Sequence, residues 1–320
     1  MKKILIPLLA LSVPPVSQAA LLVYEDFDYG LANGATMSGV ATNATGLAGN
    51  YSLVTTGSNG ASGSANYKST GLSFGSSFLT TNGGALTVNA IATTGNGGTA
   101  ILGASLNVAA QTGTLYNSYL VQINSRTSAG TGSLRINTGV TTGGGSSYFQ
   151  SNAKAGGGNS STVSFGTSAS SSTTTNLVTD ATYLFVNSFV NVGTTLSAGA
   201  GAGVATTWIF TLDGYESWLE NGDGTTATMG AYDVASFSQS TTSSSFVFSS
   251  TRFLQLAASS GTAAGTQTTT FDEIRYGTTL SDVVMTSIPE PSTYTAFAGA
   301  VALAGTMIAR RRGKRTARPV

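Results

Sequence analysis

Short apolar stretches that alternate with period two, separated by clusters of Gly, Asn, Ser and Thr, recur along almost the whole chain, and they constrain its fold more than any other feature. "NYSLVTT", "ALTVNAIAT", "SYLVQINSR", "SLRINTGV", "TYLFVNSFV", "TTWIFTLDG", "SSFVFSS", "RFLQLAAS" and "TTTFDEIRYG" all have this texture. In "SYLVQINSR", Tyr119, Val121 and Ile123 share one face while Ser118, Gln122 and Asn124 share the other, with Leu120 breaking the pattern. In "TTWIFTLDG", Trp208, Phe210 and Leu212 share a face in the same way. Successive strand side chains point to opposite sides, so the pattern predicts half-buried strands. Many such strands in one domain predict an all-β antiparallel sandwich or jelly roll. No fixed-period repeat appears, which disfavours a solenoid or propeller.

Two segments depart from this texture. "LDGYESWLENGDG" predicts a short helix between Asp213 and Glu220, stopped at Asn221-Gly222, with Tyr215, Trp218 and Leu219 on the face that covers a sheet edge. Thr141–Thr175 is rich in Ser, Thr and Gly with almost no charge, and predicts long loops carrying one or two edge strands.

The chain ends carry topology signals. Lys2 and Lys3, the apolar run Ile4–Val13, and small residues at Ser17 and Ala19 have the order of a secretory signal peptide. They predict removal of residues 1–19 by cleavage between Ala19 and Ala20, after passage through the Sec translocon to signal peptidase. Thr293–Ala309 has no charged residue and reaches the lower length limit for a transmembrane helix. Arg310, Arg311, Arg312, Lys314 and Arg315 follow it, which puts that end in the cytoplasm and the body outside. The body is then residues 20–286 and the tail residues 287–320.

Composition removes several chemistries. The 320 residues include no Cys and no His, so disulfides, a cysteine nucleophile, a Ser-His-Asp triad and a His-based zinc site are all excluded. Of 14 basic residues, two lie in the first three positions and six in the last eleven, leaving six between the ends against 13 acids. A body with that acidic excess does not suit a nucleic-acid groove.

"IPEPSTY", the weakly apolar segment after it and the arginine cluster together resemble the PEP-CTERM sorting signal of exported bacterial proteins. Pro289-Glu290-Pro291 matches the signature triplet, with Ile288 where Val is usual. The resemblance implies processing by an exosortase, a transient stay in the inner membrane, and delivery to the surface or matrix of exopolysaccharide-producing cells. Independently, the two prolines disfavour helix and leave the motif extended and accessible.

A second resemblance covers the body. "LLVYEDFDYG", "TDATYLFVNSFV … WIFTLDGYESWL" and "FDEIRYGTTLSDV" are similar to exported concanavalin-A/laminin-G-like jelly rolls. There the first and last strands neighbour each other, so "YEDFDY" and "FDEIRYG" are expected side by side. Laminarinase-type glycosidases of that fold carry an E-x-D-x-x-E strand. No such string exists here, since Glu25-Asp26-Phe27-Asp28 and Glu216–Glu220 have the wrong spacing or composition. A hydrolase would need two other carboxylates brought together. Glu273 and Arg275 are expected to form a surface or inter-strand pair.

Calcium is the cofactor the resemblance suggests, with Asp213, Glu220, Asn221 and Asp223 as hard oxygen donors. The turn-forming character of Asn-Gly and Asp-Gly competes with that reading. Trp208, Trp218, Tyr148 and Tyr215 can stack on sugars if exposed, although strand aromatics belong more often to a core. The chain is therefore expected to be a non-enzymatic exported surface or matrix protein associated with polysaccharide, with a lectin-like module and a two-carboxylate hydrolase as alternatives.

Overall fold

The alternation resolves into two antiparallel sheets stacked face to face. The computed structural model describes residues 21–284 apart from 58–60, 76–78, 80, 82, 94–96, 128–129, 138–148, 156–159, 166–169, 194–202, 223, 242–246 and 262–263. The chain divides after Val284. The signal segment with Ala19 and Ala20, the motif Pro289–Pro291, the apolar run 293–309 and the arginine cluster lie outside the described residues.

Fifteen described strands are numbered in chain order. One sheet runs from edge to edge as β13 (Ala235–Thr241), β12 (Gly203–Phe210), β11 (Thr182–Val192), β6 (Gly113–Ser125), β15 (Gly265–Gly277), β4 (Ala85–Ala92) and β3 (Ser62–Lys68). Its eighth strand, β1 (Leu21–Glu25), also pairs with β15. The seven-stranded sheet runs β10 (Ser170–Thr174), β9 (Ser160–Phe165), β8 (Phe149–Ala153), β7 (Thr131–Asn137), β14 (Phe253–Ser259), β5 (Gly98–Leu106) and β2 (Leu47–Gly57).

β15 organises the larger sheet. One of its sides pairs with β6 along the strand; the other pairs with β4 from Gly265 to Phe271 and then with β1 from Ile274 to Gly277. The adjacency expected of "YEDFDY" and "FDEIRYG" is therefore present. Between the two partners the register with β6 shifts from Asp272 to Arg275, and Glu273 adopts a φ of 49°. A left-handed glutamate is uncommon, and here it is the residue of a bulge that lets one strand change neighbours.

The core takes one face from each sheet. Tyr119, Val121 and Ile123 point into it as the alternation predicts, and Leu134, Ile136 and Leu256 answer from the other sheet. Tyr119 sits 5.2 Å from Phe185, ring centre to ring centre, and Phe149 meets Phe189 edge-on at 4.3 Å. A row of polar side chains crosses the same face. Thr207 Oγ1 donates to Asn187 Oδ1 at 2.6 Å, Asn187 Nδ2 to Asn117 Oδ1 at 2.7 Å, and Asn117 Nδ2 to the Arg275 carbonyl at 2.9 Å. All three side chains are fully buried, so each depends on its neighbour for a partner.

The larger sheet is also covered on its outer face, which corrects the simple in/out expectation for "TTWIFTLDG". Ile209 and Ala205 face the core, whereas Trp208 and Phe210 face outward, Phe210 lying under α1 (Leu212–Asn221). Thr211 caps that helix by accepting from Gly214 N at 3.3 Å, and the Gly222 N–H closes it on Trp218 O at 2.8 Å. Trp218 stacks on Phe210 at 5.6 Å, and Tyr215 packs on Phe74 at 5.7 Å. α2 (Leu280–Val284) completes the cover, with Val283 O accepting from Ser118 and Val284 O from Tyr215. The helix thus lies over β11 and β12 rather than at the expected sheet edge. Leu120 is buried for the same reason. No helix among the described residues is long and apolar enough to cross a membrane.

Other expectations are revised too. The described residues of "SSFVFSS" form an isolated bridge at Phe248, and the block Thr141–Thr175 supplies three strands, β8 to β10, instead of one or two. β3, β5 and β13 arise where no apolar alternation announces them. We predict that Asn187→Ala lowers stability by about 2–3 kcal/mol, because it strands the Thr207 hydroxyl and the Asn117 carbonyl in the core. Urea unfolding checks this; an unchanged midpoint would contradict the role assigned to the row.

Candidate functional site

The carboxylates at the two ends of the domain do converge, but as fasteners. Glu25 is fully buried and accepts from Phe27 N at 2.6 Å, from Tyr29 Oη at 2.8 Å and from Tyr51 Oη. Burial pushes its carboxyl above the ordinary range, while the tyrosine and backbone donors pull in the opposite direction. Asp272 accepts from Leu72 N at 2.7 Å and Glu273 N at 2.8 Å; burial first, and then the Glu273 charge, hold its carboxyl well above the usual value. Glu273 pairs with Arg275 at 2.7 Å and accepts from Tyr24 Oη at 3.1 Å. The Arg275 guanidinium lies 5.0 Å from the Tyr24 ring centre. The expected surface or inter-strand pair is thus a buried one within β15, braced by an aromatic from β1.

Three of the residues suggested for calcium are described, and they are spread along α1. Asp213 lies in its first turn and Glu220 and Asn221 in its last, about 10 Å apart along the axis. Asn221 Nδ2 donates to Ser217 O at 3.3 Å, and Asp223 lies outside the described residues. Among the described residues no group of three acidic side chains gathers. Trp208, Trp218 and Tyr215 are buried, so stacking on a sugar is not open to them; Tyr148 lies outside the described residues.

A cavity of about 510 Å³ opens instead on the outer side of the larger sheet. Gln122 of β6 and Thr182 of β11 are register partners and line it together. Lys68, at the end of β3, the segment Gly71–Gly75, Asp180 and Leu212 form the rest of the wall. Asp180 sits in a turn with φ of 62°, a conformation that Asp tolerates better than most residues. Its N–H donates to Ile123 O at 2.9 Å, and Gln122 Nε2 donates to its carbonyl at 2.7 Å. Asn124 Nδ2 donates to Gln122 Oε1 at 2.8 Å and to Asp180 Oδ1 at 3.4 Å. The Asp180 carboxylate is therefore positioned but still exposed. Lys68 shares the cavity with it without forming an ion pair; the one ion pair among the described residues is Glu273–Arg275.

Such a cavity lies within the usual size range for small-molecule sites. It offers an anionic acceptor, a cationic donor, amide and hydroxyl groups, and the apolar surfaces of Leu72, Phe74 and Leu212. Sequence reading did not single out Lys68 or Asp180. The one available signal was the polar outer face Gln122–Asn124 of "SYLVQINSR".

No protein-family model and no curated protein matches the chain. Distant likenesses exist among solved structures. The Emp47p carbohydrate recognition domain aligns at 8% identity and TM-score 0.39, covering 82% of this chain and 98% of its own. A glycosyl hydrolase family protein from Mycobacterium fortuitum aligns at 13% and 0.39, covering 80% and 99%. Lectin II from Ulex europaeus aligns at 10% and 0.38, covering 81% and 99%. At such scores these likenesses are too distant to assign this chain an activity.

The buried carboxyls give a pH prediction. Glu25 and Asp272 have folded pKa values above their ordinary ones, so protonation favours the folded state. Their contribution is complete below the ordinary carboxyl range and is lost as pH rises through the elevated folded values. The urea midpoint should therefore increase as pH falls from neutral toward about 4.5, and Glu25→Gln should flatten that rise. A midpoint that falls steadily on acidification, equally in both proteins, would overturn the assignment.

Proposed function

We propose that this chain is an exported, non-enzymatic surface or matrix protein whose sandwich binds a carbohydrate in the cavity beside Asp180. The observation that carries this reading is the single carboxylate of Asp180, whose backbone carbonyl accepts from Gln122 and whose Oδ1 accepts from Asn124, in a cavity of sugar size that it shares with an unpaired Lys68. A carboxylate accepts from sugar hydroxyls, an ammonium donates to them, and the apolar wall suits the C–H face of a ring. One carboxylate in the cavity favours binding over hydrolysis by a carboxylate pair. Calcium is not required by the cavity's own donors.

The terminal signals support the rest of the proposal. On this reading the signal peptide is removed before Ala20, and the body is a jelly roll of the concanavalin-A/laminin-G kind. An exosortase then acts on the tail at Pro289-Glu290-Pro291, after transient anchoring in the inner membrane through 293–309 and the arginine cluster. Association with exopolysaccharide is the expected endpoint.

Two measurements test this. On a glycan array the folded domain should bind neutral oligosaccharides with or without calcium, and Asp180→Asn should weaken that binding about tenfold or more. No binding under either condition, or binding indifferent to Asp180→Asn, would remove the cavity from the account. Separately, the intact mass of the surface-recovered protein should correspond to a chain starting at Ala20 and ending near Pro291; recovery of the full-length chain from the cytoplasm would contradict export.

A further inference from the structure

Lys68 and Asp180 bring opposite charges to the cavity on the larger sheet, yet they form no ion pair. Sheet register explains why. Asn66 of β3, Thr87 of β4, Thr270 of β15 and Gln122 of β6 are partners in one row across adjacent strands. Lys68 lies two residues beyond Asn66, and Asn124 lies two residues beyond Gln122. Because β3 and β6 run in opposite directions, these two displacements diverge. Three strand steps give about 14 Å across the sheet and the combined offset about 13 Å along it, so the Lys68 and Asn124 backbones stand about 19 Å apart. A lysine side chain does not close that interval.

Both ends are fixed by hydrogen bonds. Thr87 Oγ1 and Thr270 Oγ1 are bonded at 3.1 Å, and Thr270 Oγ1 donates to Asn124 Oδ1 at 2.7 Å. Asn124 Nδ2 in turn meets Gln122 Oε1 at 2.8 Å and Asp180 Oδ1 at 3.4 Å, so the exposed carboxylate terminates a braced row. At the other end Lys68 closes β3, half-buried, and the chain turns into the wall Gly71–Gly75. Leu72 N pins that wall to the sheet through Asp272 at 2.7 Å.

We propose that the cavity takes an oligosaccharide running diagonally across the strands, with a neutral ring at Asp180 and an acidic ring, a uronate or a sulfate ester, at Lys68. This rests on the reading of the cavity as a carbohydrate site and adds the length, charge and direction of its ligand. A single sugar ring does not reach both charges, whereas linked rings do. Asp180 accepts from hydroxyls and repels an acid placed beside it. The Lys68 ammonium is a compact point charge, which attracts a carboxylate and a sulfate alike.

Calorimetric titration of the folded chain tests the proposal with a short oligosaccharide of alternating glucose and glucuronate. Its comparisons are the same oligosaccharide with the carboxyls reduced to alcohols, the reduced form sulfated at those alcohols, and free glucose and glucuronate. The acidic oligosaccharides should bind about tenfold or more tighter than the reduced one, an advantage that shrinks as salt is raised. An advantage held by one acid alone identifies which of the two Lys68 receives. Both monosaccharides should bind about tenfold or more weaker than the reduced oligosaccharide. Lys68→Met should bring acidic and reduced forms to nearly equal affinity, while Asp180→Asn should weaken the reduced form about tenfold or more. Equal binding of acidic and reduced forms by the unaltered chain, still weakened by Asp180→Asn, would overturn the acidic ring and leave the carbohydrate site standing. An acid preference that survives Lys68→Met would overturn the part given to Lys68, and a monosaccharide as tight as the oligosaccharide would overturn the span. Binding of none of these sugars would remove the carbohydrate reading together with this one.

Discussion

The larger sheet depends on how β15 is shared. This strand holds β6 on one side and divides the other between β4 and β1, so the first and last strands of the sandwich are joined through it. The hydrogen bonds that secure the joint span large sequence separations: Tyr24 reaches Glu273 across 249 residues, and Leu72 reaches Asp272 across 200. Long-range pairing of this kind pays its chain entropy before its contacts form, so the sheet can close only when the end of the domain is in place. The acidic clusters "YED" and "FDE" are therefore explained by the joint. They saturate the polar groups that a strand exposes when it changes partners, and their burial gives the pH response its sign.

The two sheets have different surroundings. The larger one is covered outside by α2 and by aromatic packing from α1 and Phe74, and the Asp180 cavity opens beside that layer. The smaller one keeps the outward-facing Ser133, Arg135, Asn137 and Gln255 buried as well.

Much of the architecture was legible because period two is a strong signal when branched or aromatic residues carry it. "SYLVQINSR" gave the correct core face, and "FDEIRYG" found its partner strand. "TTWIFTLDG" gave the correct shared face but on the outer side, since alternation cannot say which side of a sheet a later helix will cover. β3 ("SGSANYK") and β5 ("GTAILGASL") were hidden because Gly, Ser and Ala carry little hydrophobic contrast. The cavity was not legible at all: Lys68, Gln122 and Asp180 come from three separate segments and meet only through sheet register.

The central claim is that the cavity beside Asp180, on a β15-centred sandwich, holds a carbohydrate. A crystal structure of the domain soaked with a neutral oligosaccharide tests it most directly. The account predicts a sugar hydroxyl about 2.5–2.7 Å from the Asp180 carboxylate. A sugar seated elsewhere on the domain, with the cavity unliganded, would contradict it.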